Sequence, residues 1–527
     1  MRNIAVVVAI VTWLGAAVTQ PVAAQLNRAQ PEAASGRYDK AGAAARRFMV
    51  AAANPLAVRA GIEMLEAGGS AVDAAIAVQL VLNLVEPQSS GIGGGAFMLY
   101  YDASSGRITA FNGRETAPAA ATPDLFLGED GQPLGYREAV LSGRSTGVPG
   151  VLPMLGEAHA RFGKLQWAEL YGPAIRLAED GFVVPQRLAR FASSEFPQAT
   201  LPDVRALFLR PDGTVAQAGD TLRNAAYAST LRSVAERGPR AQLEGPLAEA
   251  IVRSTRAEPL PGALSLADLG AYQPGISDPI CRPYLVYVVC VPPPPSSGVS
   301  LLQLLAILEH TDIAERGQGD PRAWDLFAEA SRLMDADRAR YVADPQFVEV
   351  PVDGLLDPAY VATRAGLIGE RAGPPPLPGE PPGYRRGRDA TSEPAGTSHF
   401  VVVDGEGNVA SMTTSVESLF GSGRVVGGFM LNNQLTDFSF AATDGGLPVA
   451  NAVAPGKRPR SSMSPVIVLD QQGRVYAALG SPGGSAILAY NAKALIGLLA
   501  WELPLQQAIE LPNLYARGEN FYGEETR

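Results

Sequence analysis

The sequence feature that most constrains the fold is a β-hairpin pattern over residues 396–415. Two runs rich in β-branched and apolar residues flank residues 404–408, a cluster of turn formers that can supply positive φ angles. If the turn is centred on Glu406, Thr397 lies opposite Ser415. Cross-strand neighbours have Cβ atoms about 5 Å apart, so the pattern predicts two facing hydroxyl groups where the hairpin leaves a loop. An ordinary exposed strand pair is the alternative, because threonine is common in strands.

The N-terminus has the pattern of a secretory signal peptide. Arg2 precedes an apolar run over residues 4–18, and small residues at Val22 and Ala24 predict cleavage after Ala24. The run is shorter than the roughly 20 apolar residues that a membrane-spanning helix needs. We therefore expect that residues 1–24 are removed, that the protein has no stable membrane span, and that it is periplasmic or secreted.

Composition excludes several classes of partner and chemistry. The formal net charge is −10 and no long Lys/Arg run occurs, so nucleic acid is not an expected partner. The three histidines, His159, His310 and His399, are isolated and form no metal-ligand spacing. We therefore expect no metal and no other cofactor. A Ser-His-Asp triad is a weak hypothesis, and His399 is expected to be a strand side chain rather than a base.

The two cysteines bracket a segment that has the composition of a single strand. Cys281 and Cys290 lie at the ends of a β-branched and aromatic run. Nine extended steps would separate them by roughly 30 Å. A disulfide needs Cα atoms less than about 7 Å apart. The sequence therefore predicts two buried thiols.

The first half of the chain predicts helices followed by a strand. Helical spacing covers residues 55–67, and a second helix over residues 71–82, capped by Ser70, is apolar enough to be buried on all sides. The glycine-rich residues 87–95 lead into a strand at residues 96–101. A phosphate-binding loop would be followed by Gly-Lys-Ser/Thr and a helix. Close backbone packing is therefore the favoured interpretation.

The later chain predicts one exposed linker and one further hairpin. Residues 147–280 are mainly helical in pattern, and a long helix is expected over residues 321–342. The Pro/Gly-rich residues 374–383 predict an exposed linker directly before the first hairpin, where a chain can be cut without dismantling a core. Residues 466–479 form the second hairpin pattern.

Two places can bind a negative group. A strand delivers Arg114 into a loop, where a guanidinium can bind a carboxylate through two hydrogen bonds; a solvated surface arginine is the alternative. The glycine-rich residues 480–485 join a strand to the start of a helix and can present unpaired backbone N–H groups. Phosphate binding and an oxyanion hole are both compatible with this second pattern.

Eight runs of the sequence form one pattern, in the order residues 68–75, 93–99, 114–118, 293–298, 397–399, 431–434, 460–465 and 480–485. Together they resemble, in family order, the γ-glutamyltranspeptidases, which are N-terminal nucleophile hydrolases. The resemblance implies an α+β fold, a four-layer αββα sandwich, made as a precursor that cuts itself into a large subunit (residues 25–396) and a small subunit (residues 397–527). The chain ends before the family's usual end, so the small subunit is expected to be truncated.

The resemblance implies a mechanism that these residue types can perform. Cleavage between Gly396 and Thr397 would give Thr397 a free α-amine, whose ordinary pKa of about 7.7–8.0 suits a general base. The Thr397 hydroxyl would attack the γ-carbonyl of a glutamyl amide, and water, an amino acid or a peptide would resolve the acyl-enzyme. Backbone N–H groups of Gly483 and Gly484 would hold the oxyanion. Ser415 stands where the family has a second threonine that hydrogen-bonds the nucleophile.

The resemblance also assigns the substrate-binding residues. A γ-glutamyl group ends in a zwitterion, so its pocket needs cationic donors on one side and acceptors on the other. Arg114, Ser461 and Ser462 would bind the α-carboxylate. Gln434 and Asp437 would bind the α-ammonium.

This sequence differs from the family pattern near the ammonium side. Glu417 stands where the family has an asparagine that helps to bind the ammonium, and Thr436 replaces the first residue of a family Asp-Asp pair. The segment between Asp437 and Ser461 is shorter than the family's lid loop, which suggests a more open pocket.

Three functions remain open at the level of sequence. The first is a γ-glutamyl hydrolase and transpeptidase acting on glutathione-like amides, with the two subunits of one precursor as partners. The second is a glutaryl or cephalosporin acylase of the same family. Glu417 argues against it, because an added carboxylate favours a cation. The third is an unprocessed, non-catalytic binding protein.

Overall fold

The computed structural model describes residues 41–381, 386–391, 393–394 and 396–524. The predicted signal peptide, residues 1–24, lies outside the described residues. The α-helices are α1 Pro55–Glu66, α2 Ala71–Val85, α3 Tyr136–Leu141, α4 Val151–Phe162, α5 Gly172–Asp180, α6 Gln186–Ala192, α7 Pro202–Ala206, α8 Ala225–Arg237, α9 Pro246–Thr255, α10 Leu266–Ala271, α11 Gly298–Glu309, α12 Ile313–Arg316, α13 Pro321–Tyr341, α14 Val352–Leu355, α15 Pro358–Ala365, α16 Ile487–Leu495 and α17 Leu505–Glu510.

The strands group into two larger sheets and several two-stranded pairs. The strands are β1 Met49–Ala51, β2 Gly95–Asp102, β3 Arg107–Asn112, β4 Phe182–Val183, β5 Thr221–Leu222, β6 Gly275–Ser277, β7 Ile280–Tyr284, β8 Tyr287–Val291, β9 Thr397–Val403, β10 Val409–Ser415, β11 Val425–Val426, β12 Phe429–Met430, β13 Thr443–Asp444, β14 Leu447–Pro448, β15 Val466–Leu469, β16 Val475–Leu479, β17 Leu514–Arg517 and β18 Asn520–Gly523.

The predicted hairpin forms the centre of a six-stranded sheet with the order β1-β9-β10-β2-β3-β6. Strands β9 and β10 pair antiparallel, and Thr397 lies opposite Ser415, so the predicted register is confirmed. On its other side β9 pairs with β1 only at residues 401–403. Residues 397–400 at the start of β9 are therefore not paired with β1.

The two larger sheets stack between two layers of helices. The second sheet has the order β16-β15-β8-β7. Leu99, Val409 and Ile467 belong to the apolar cluster that fills the space between the sheets. Helix α2 covers the outer face of the six-stranded sheet, and α11, α13 and α16 cover the outer face of the other. The predicted α+β fold with four αββα layers is confirmed.

Helix α2 is the buried support beneath the hairpin. All of its residues are buried, as the sequence predicted. Ser70 and Asp73 form a reciprocal capping box at its start, which satisfies two N–H groups that would otherwise be unpaired. Its Ile76 and Val78 lie in the same apolar cluster as Phe400 of β9. The strand that carries Thr397 is thus fixed by a helix that has no solvent-exposed face.

The prediction of two free thiols is wrong, because Cys281 and Cys290 form a disulfide with Cα atoms 4.1 Å apart. The segment between them is two strands, and β7 pairs antiparallel with β8 so that the cysteines lie opposite each other. The chain reverses at Leu285, which has a φ of 54°. No glycine or asparagine marks this turn, so the sequence reads as one continuous strand.

The proline-rich linker is exposed, but hydrogen bonds tie it to the body, among them bonds at Gly373 and Gly379. Residues 371–381 form no helix or strand and are mostly exposed, which confirms the prediction for the described part of residues 374–383. The Gly379 amide donates a hydrogen bond to Asp337 Oδ1 over 2.7 Å, and the Tyr341 hydroxyl donates to the Gly379 carbonyl over 2.6 Å. In the part of the chain that the structure describes, every helix is too short or too polar to cross a membrane.

Candidate active site

Thr397 and Ser415 face the gap between the two sheets. Side chains alternate along a strand, and Val401 and Val403, on the same face of β9 as Thr397, pack against the cluster between the sheets. The Thr397 hydroxyl donates to Ser415 Oγ over 3.2 Å, and the Ser415 hydroxyl donates to the Gly396 carbonyl over 2.8 Å. Both side chains are buried. The Ser415 hydroxyl therefore contacts both the predicted nucleophile, Thr397, and the carbonyl of Gly396, the residue before it.

Glycines let the backbone pack closely around this pair. A Cβ atom on Gly396 would lie 2.0 Å from the Glu417 carbonyl oxygen, and one on Gly94 would lie 2.0 Å from the Ser415 carbonyl oxygen. Close backbone packing, predicted for residues 87–95, is thus confirmed. The predicted cleavage site can approach residues 415–417 only because position 396 carries no side chain.

Arg114 is buried in the site, and the surface alternative is wrong. Its side chain has 0% exposure. Its Nε donates to the Pro459 carbonyl over 3.1 Å, and its Nη2 donates to the Arg460 carbonyl over 2.7 Å and also to Asp437. Among the described residues none accepts a hydrogen bond from Arg114 Nη1, and Glu115 Oε2 lies 3.6 Å from that atom. Nη1 is therefore a buried donor that no described residue satisfies.

The surroundings of Arg114 contain more carboxyl groups than cations. Burial raises the pKa of Asp437 to about 7, against the lowering effect of Arg114, and burial raises the pKa of Glu115 to about 8. Burial and the nearby Asp437 raise the pKa of Glu417 well above its ordinary value. The Tyr136 hydroxyl donates to Glu417 Oε1 over 3.2 Å. A cation placed among these groups would favour their ionised forms.

Two asparagines organise the loop that carries Gln434 and Asp437, a short 3₁₀ helix over Gln434–Asp437. Asn432 donates to the carbonyls of Gly93 and Gly147 over 2.7 and 3.0 Å. Asn433 Nδ2 donates to Glu417. Gln434 Oε1 is buried and accepts no hydrogen bond from any described residue. Asp437 Oδ1 is also buried without such a bond, so the loop presents two acceptors that no described residue satisfies.

Ser461 and Ser462 directly follow Arg460, whose carbonyl accepts a hydrogen bond from Arg114. Ser461 Oγ accepts the Met463 amide over 3.1 Å. Ser462 Oγ accepts a hydrogen bond from Arg338 over 2.8 Å, and the Ser462 amide donates to Glu393 Oε2 over 2.8 Å. The buried guanidinium of Arg338 and the carboxylate of Glu393, which lies in the segment before Thr397, therefore both contact Ser462.

The predicted glycine turn lies against the segment that precedes Thr397. Gly483 and Gly484 have φ angles of 136° and 55°, which a residue with a side chain rarely adopts. A Cβ atom on Gly484 would lie 2.3 Å from the carbonyl oxygens of Glu393 and Pro394. The Ser485 amide donates to the Glu393 carbonyl over 3.0 Å. In the uncut chain this turn therefore holds backbone carbonyl groups.

His399 is a buried strand side chain, as predicted. Its Nδ1 lies 2.9 Å from Thr413 Oγ1, within hydrogen-bond distance. Burial lowers the pKa of His399 to about 3. The imidazole is therefore neutral at physiological pH and poorly suited to take up a proton.

Hydrogen bonds and ion pairs join several of the predicted residues. Ser415 links the nucleophile to the Glu417 amide, which donates to Ser415 Oγ over 2.8 Å. Asp437 forms an ion pair with Arg114. Arg114 also donates a hydrogen bond to the carbonyl of Arg460, the residue before Ser461. The roles assigned to these residues stay predictions.

Sequence reasoning missed several residues that contact the site. Tyr136 and Asn433 hold Glu417, Glu115 lies beside Arg114, and Arg338 binds Glu393. Asn433 and Glu115 lie inside runs that match the family, whereas Tyr136 and Arg338 come from segments without such a match. Glu393 carried a usable signal, because it is an acidic residue four positions before a predicted cleavage site.

Comparison with known proteins fits this geometry. The sequence profile of the family described as gamma-glutamyltranspeptidase matches residues 57–526. The glutathione hydrolase proenzyme of Bacillus subtilis (strain 168) is 39% identical over 492 residues, which are 90% of this chain and 82% of that protein. The acylase ACY 1 proenzyme of Pseudomonas sp. (strain V22) is 36% identical over 93% of this chain and 86% of that protein.

Solved structures agree with the assignment from sequence. Cephalosporin acylase from Bacillus halodurans superposes with a TM-score of 0.80 at 28% identity, covering 94% of this chain and 88% of that chain. The match to the family profile spans most of the sequence, and both proenzyme relatives are matched over most of their length. The chain belongs to the gamma-glutamyltranspeptidase family.

Proposed function

We propose that this protein is a γ-glutamyl hydrolase and transpeptidase that cleaves γ-glutamyl amides such as glutathione. The observation that carries the proposal is the contact between Thr397 Oγ1 and Ser415 Oγ, 3.2 Å apart, at the end of a strand that begins at the predicted cleavage site. The buried Arg114 and the carboxyl groups around it supply both signs of charge that a γ-glutamyl zwitterion requires.

The first reaction is self-cleavage. Thr397 Oγ1 bonds to the Gly396 carbonyl carbon, the bond from that carbon to the Thr397 nitrogen breaks, and the hydroxyl proton passes to that nitrogen. One water molecule then hydrolyses the resulting ester and yields a Gly396 carboxylate and a Thr397 with a free hydroxyl and a free α-amine. The Ser415 hydroxyl donates to the Gly396 carbonyl over 2.8 Å, so it can stabilise the charge that develops on this oxygen.

Turnover uses the groups that cleavage creates. The α-amine of Thr397 accepts the hydroxyl proton as Oγ1 attacks the γ-carbonyl of the donor, and the proton is passed to the departing amine. Backbone N–H groups of Gly483 and Gly484 hold the oxyanion. Each such donor contributes about 3 kcal/mol in enzymes of this kind. Water or the amine of an amino acid or peptide then attacks the γ-glutamyl ester and frees Thr397.

The charges of the pocket favour a γ-glutamyl donor over a glutaryl donor. Arg114, Ser461 and Ser462 bind the α-carboxylate, while Gln434 and Asp437 bind the α-ammonium with the help of Glu417. The raised pKa values of Asp437 and Glu417 reflect buried carboxyl groups with too little positive charge nearby. A glutaryl group has no ammonium and would leave this imbalance in place.

Acylase activity is the second candidate. It is supported by the acylase ACY 1 proenzyme and the cephalosporin acylase among the similar proteins. Rates of release from γ-glutamyl and glutaryl anilides, measured side by side, separate the two. Faster release from the glutaryl compound would make acylase activity the better description.

The proposal includes processing and export. Residues 25–396 form the large subunit and residues 397–527 the small one, and residues 1–24 direct the precursor to the periplasm or the medium. The disulfide between Cys281 and Cys290 supports export, because such bonds persist in oxidising compartments. Substrates are a small γ-glutamyl donor and an amino acid, a peptide or water.

Thr397→Ala tests the proposal. We expect this variant to stay as one chain on denaturing electrophoresis and to show no turnover, since both reactions use the same hydroxyl. Thr413→Ala is a matched control, because it removes a hydroxyl of the same hairpin that contacts His399 rather than the nucleophile. Activity in Thr397→Ala, or a wild-type protein that persists as one chain without activity, would contradict the proposal; the second result would favour the non-catalytic alternative.

A further inference from the structure

The side chain of Glu393 fills a cationic site from which the reactions above use only Ser462. Arg338 Nη2 donates to Glu393 Oε1, and the Ser462 amide donates to Glu393 Oε2 over 2.8 Å. Arg460 Nε lies 3.8 Å from Oε1. Glu393 is only 7% exposed, although it belongs to the segment between the exposed linker and the predicted cleavage site.

The site is built for an ionised carboxylate. Arg338 is oriented by two further contacts, since its Nε donates to Ser297 Oγ and its Nη2 to Ser462 Oγ, both over 2.8 Å. Burial alone would raise the pKa of Glu393, but Arg338 and Arg460 hold it at about 2. The carboxylate is therefore charged at any physiological pH, and its two oxygens are bound by groups from separate parts of the chain.

The backbone of the same segment is also fixed. The Glu393 amide donates to Ser485 Oγ over 3.0 Å, and the Ser485 amide donates to the Glu393 carbonyl over 3.0 Å. Further upstream, Arg517 Nη2 donates to the Thr391 carbonyl over 3.1 Å. Arg460 Nη2 lies 3.0 Å from Asp389 Oδ2, with which it forms an ion pair. Residues 389, 391 and 393 are thus each held by contacts, and Glu393 is the last residue with a polar side chain before the cleavage site.

Gly396, whose carbonyl is attacked, lies three positions after this anchor. The Gly396 carbonyl is held from the other side by the Ser415 hydroxyl over 2.8 Å. Three extended steps span at most about 11 Å, so the fixed Glu393 and the Ser415 hydroxyl together limit where the Gly396 carbonyl can lie. A displacement of about 1 Å in a reacting group can slow a reaction by about a hundredfold.

We propose that Glu393 is a positioning residue for self-cleavage, whose carboxylate anchors the segment before Thr397 in the site made by Arg338, Arg460 and Ser462. It takes no part in bond making. It holds the Gly396 carbonyl carbon within reach of Thr397 Oγ1 until the carbon–nitrogen bond breaks. This inference rests on the proposed self-cleavage.

The test follows cleavage in full-length chains made by cell-free synthesis and labelled in a short pulse. Conversion of the intact chain into two subunits is measured over time for wild type, Glu393→Gln, Glu393→Asp and Glu380→Gln. Glu380 is the matched control, since it lies in the exposed part of the same linker. We expect Glu393→Gln to lengthen the half-time of cleavage at least tenfold, Glu393→Asp to restore part of the rate, and Glu380→Gln to cleave like wild type.

A double-mutant cycle tests whether Glu393 acts through Arg338. It adds the variants Arg338→Met and Arg338→Met/Glu393→Gln to the cleavage measurements. If the two side chains act together, the double variant cleaves no more slowly than the slower single variant. Melting temperatures are compared with Thr397→Ala also present, so that all chains stay uncut. We expect Glu393→Gln to melt within a few degrees of its parent.

The outcomes separate this inference from the proposed function. Wild-type chain that stays uncut would overturn self-cleavage and the anchoring together. If wild type is cut and Glu393→Gln is cut equally fast, only the anchoring is overturned. Slow cleavage with a large fall in melting temperature and additive effects of the two substitutions would likewise overturn it, because the role would then be one of general stability.

Discussion

At the scale of single residues, the site contains three buried carboxyl groups around one arginine. Asp437 is paired with Arg114, whereas Glu115 and Glu417 have no full cationic partner of their own among the described residues. A buried charge without a full partner is costly, so burial raises the pKa values of Glu115 and Glu417. A substrate ammonium would supply the missing charge. Binding of a γ-glutamyl donor should therefore depend on the ionisation of these groups.

The first prediction concerns pH. Burial raises the pKa of Asp437 to about 7, so this acid is mostly ionised above pH 7 and mostly protonated below it. A protonated acid does not attract an ammonium group, so we expect KM for a γ-glutamyl anilide to rise about tenfold between pH 8 and pH 6. Steady-state kinetics in buffers of constant ionic strength provide the measurement.

Two comparisons control for the titration of the nucleophile's amine. A glutaryl anilide carries no ammonium, so its KM should stay nearly constant over the same pH range. Asp437→Asn should raise KM at pH 8 and flatten the profile. A parallel rise in KM for both anilides would show that some other group is responsible.

The second prediction concerns Ser415. Its hydroxyl accepts from Thr397 and from the Glu417 amide and donates to the Gly396 carbonyl, so Ser415→Ala removes contacts of both reactions. We expect the rate of self-cleavage to fall by a factor of about 10²–10³, which is the usual effect of removing one oxyanion donor. Ser415→Thr keeps the hydroxyl and should cleave within a few-fold of wild type. Equal rates in the alanine and threonine variants would exclude a role for the hydroxyl.

At the scale of elements, the hairpin of β7 and β8 forms one half of the second sheet. Strand β8 pairs with β15, while β7 lies at the edge of that sheet. Cys290 is fully buried between the sheets and is joined to Cys281 on the edge strand. The disulfide therefore ties the edge strand to the centre of the sheet.

The third prediction follows from this link. A disulfide that closes a loop of about ten residues stabilises a fold by about 2–3 kcal/mol, chiefly by restricting the unfolded chain. We expect the double variant Cys281→Ser/Cys290→Ala to melt at a lower temperature than wild type, with self-cleavage retained. Wild type treated with a reductant and an alkylating agent should show the same fall. Unchanged melting in both samples would argue that the bond contributes nothing.

How well the sequence predicts an element depends on whether its signal is local. Helix α2 and the hairpin of β9 and β10 were predicted because periodicity and turn residues act over a few positions. The β7–β8 turn was missed because Leu285 adopts a positive φ without a residue type that announces it. Arg338 was missed because its hydrogen bond to Glu393 joins two residues that are 55 positions apart in the sequence.

At the scale of the whole molecule, both sheets are assembled from the two predicted subunits. In the six-stranded sheet, β9 and β10 follow the cleavage site and lie between β1 and β2, which precede it. In the four-stranded sheet, β15 pairs with β8 in the same way. The two subunits could separate only if the strand pairing in both sheets were broken and the apolar layer between them exposed.

The last prediction is therefore that cleavage leaves one particle. We expect the mature protein to give two bands on denaturing electrophoresis but a single peak on size exclusion, eluting with uncut Thr397→Ala. Interfaces formed from a shared core are large and apolar, so separation should require the denaturant concentration that unfolds the whole molecule. The measurement is size exclusion of both samples across a urea series, with unfolding followed by circular dichroism. Release of the small subunit before unfolding would show that the interleaved strands do not hold the two parts together.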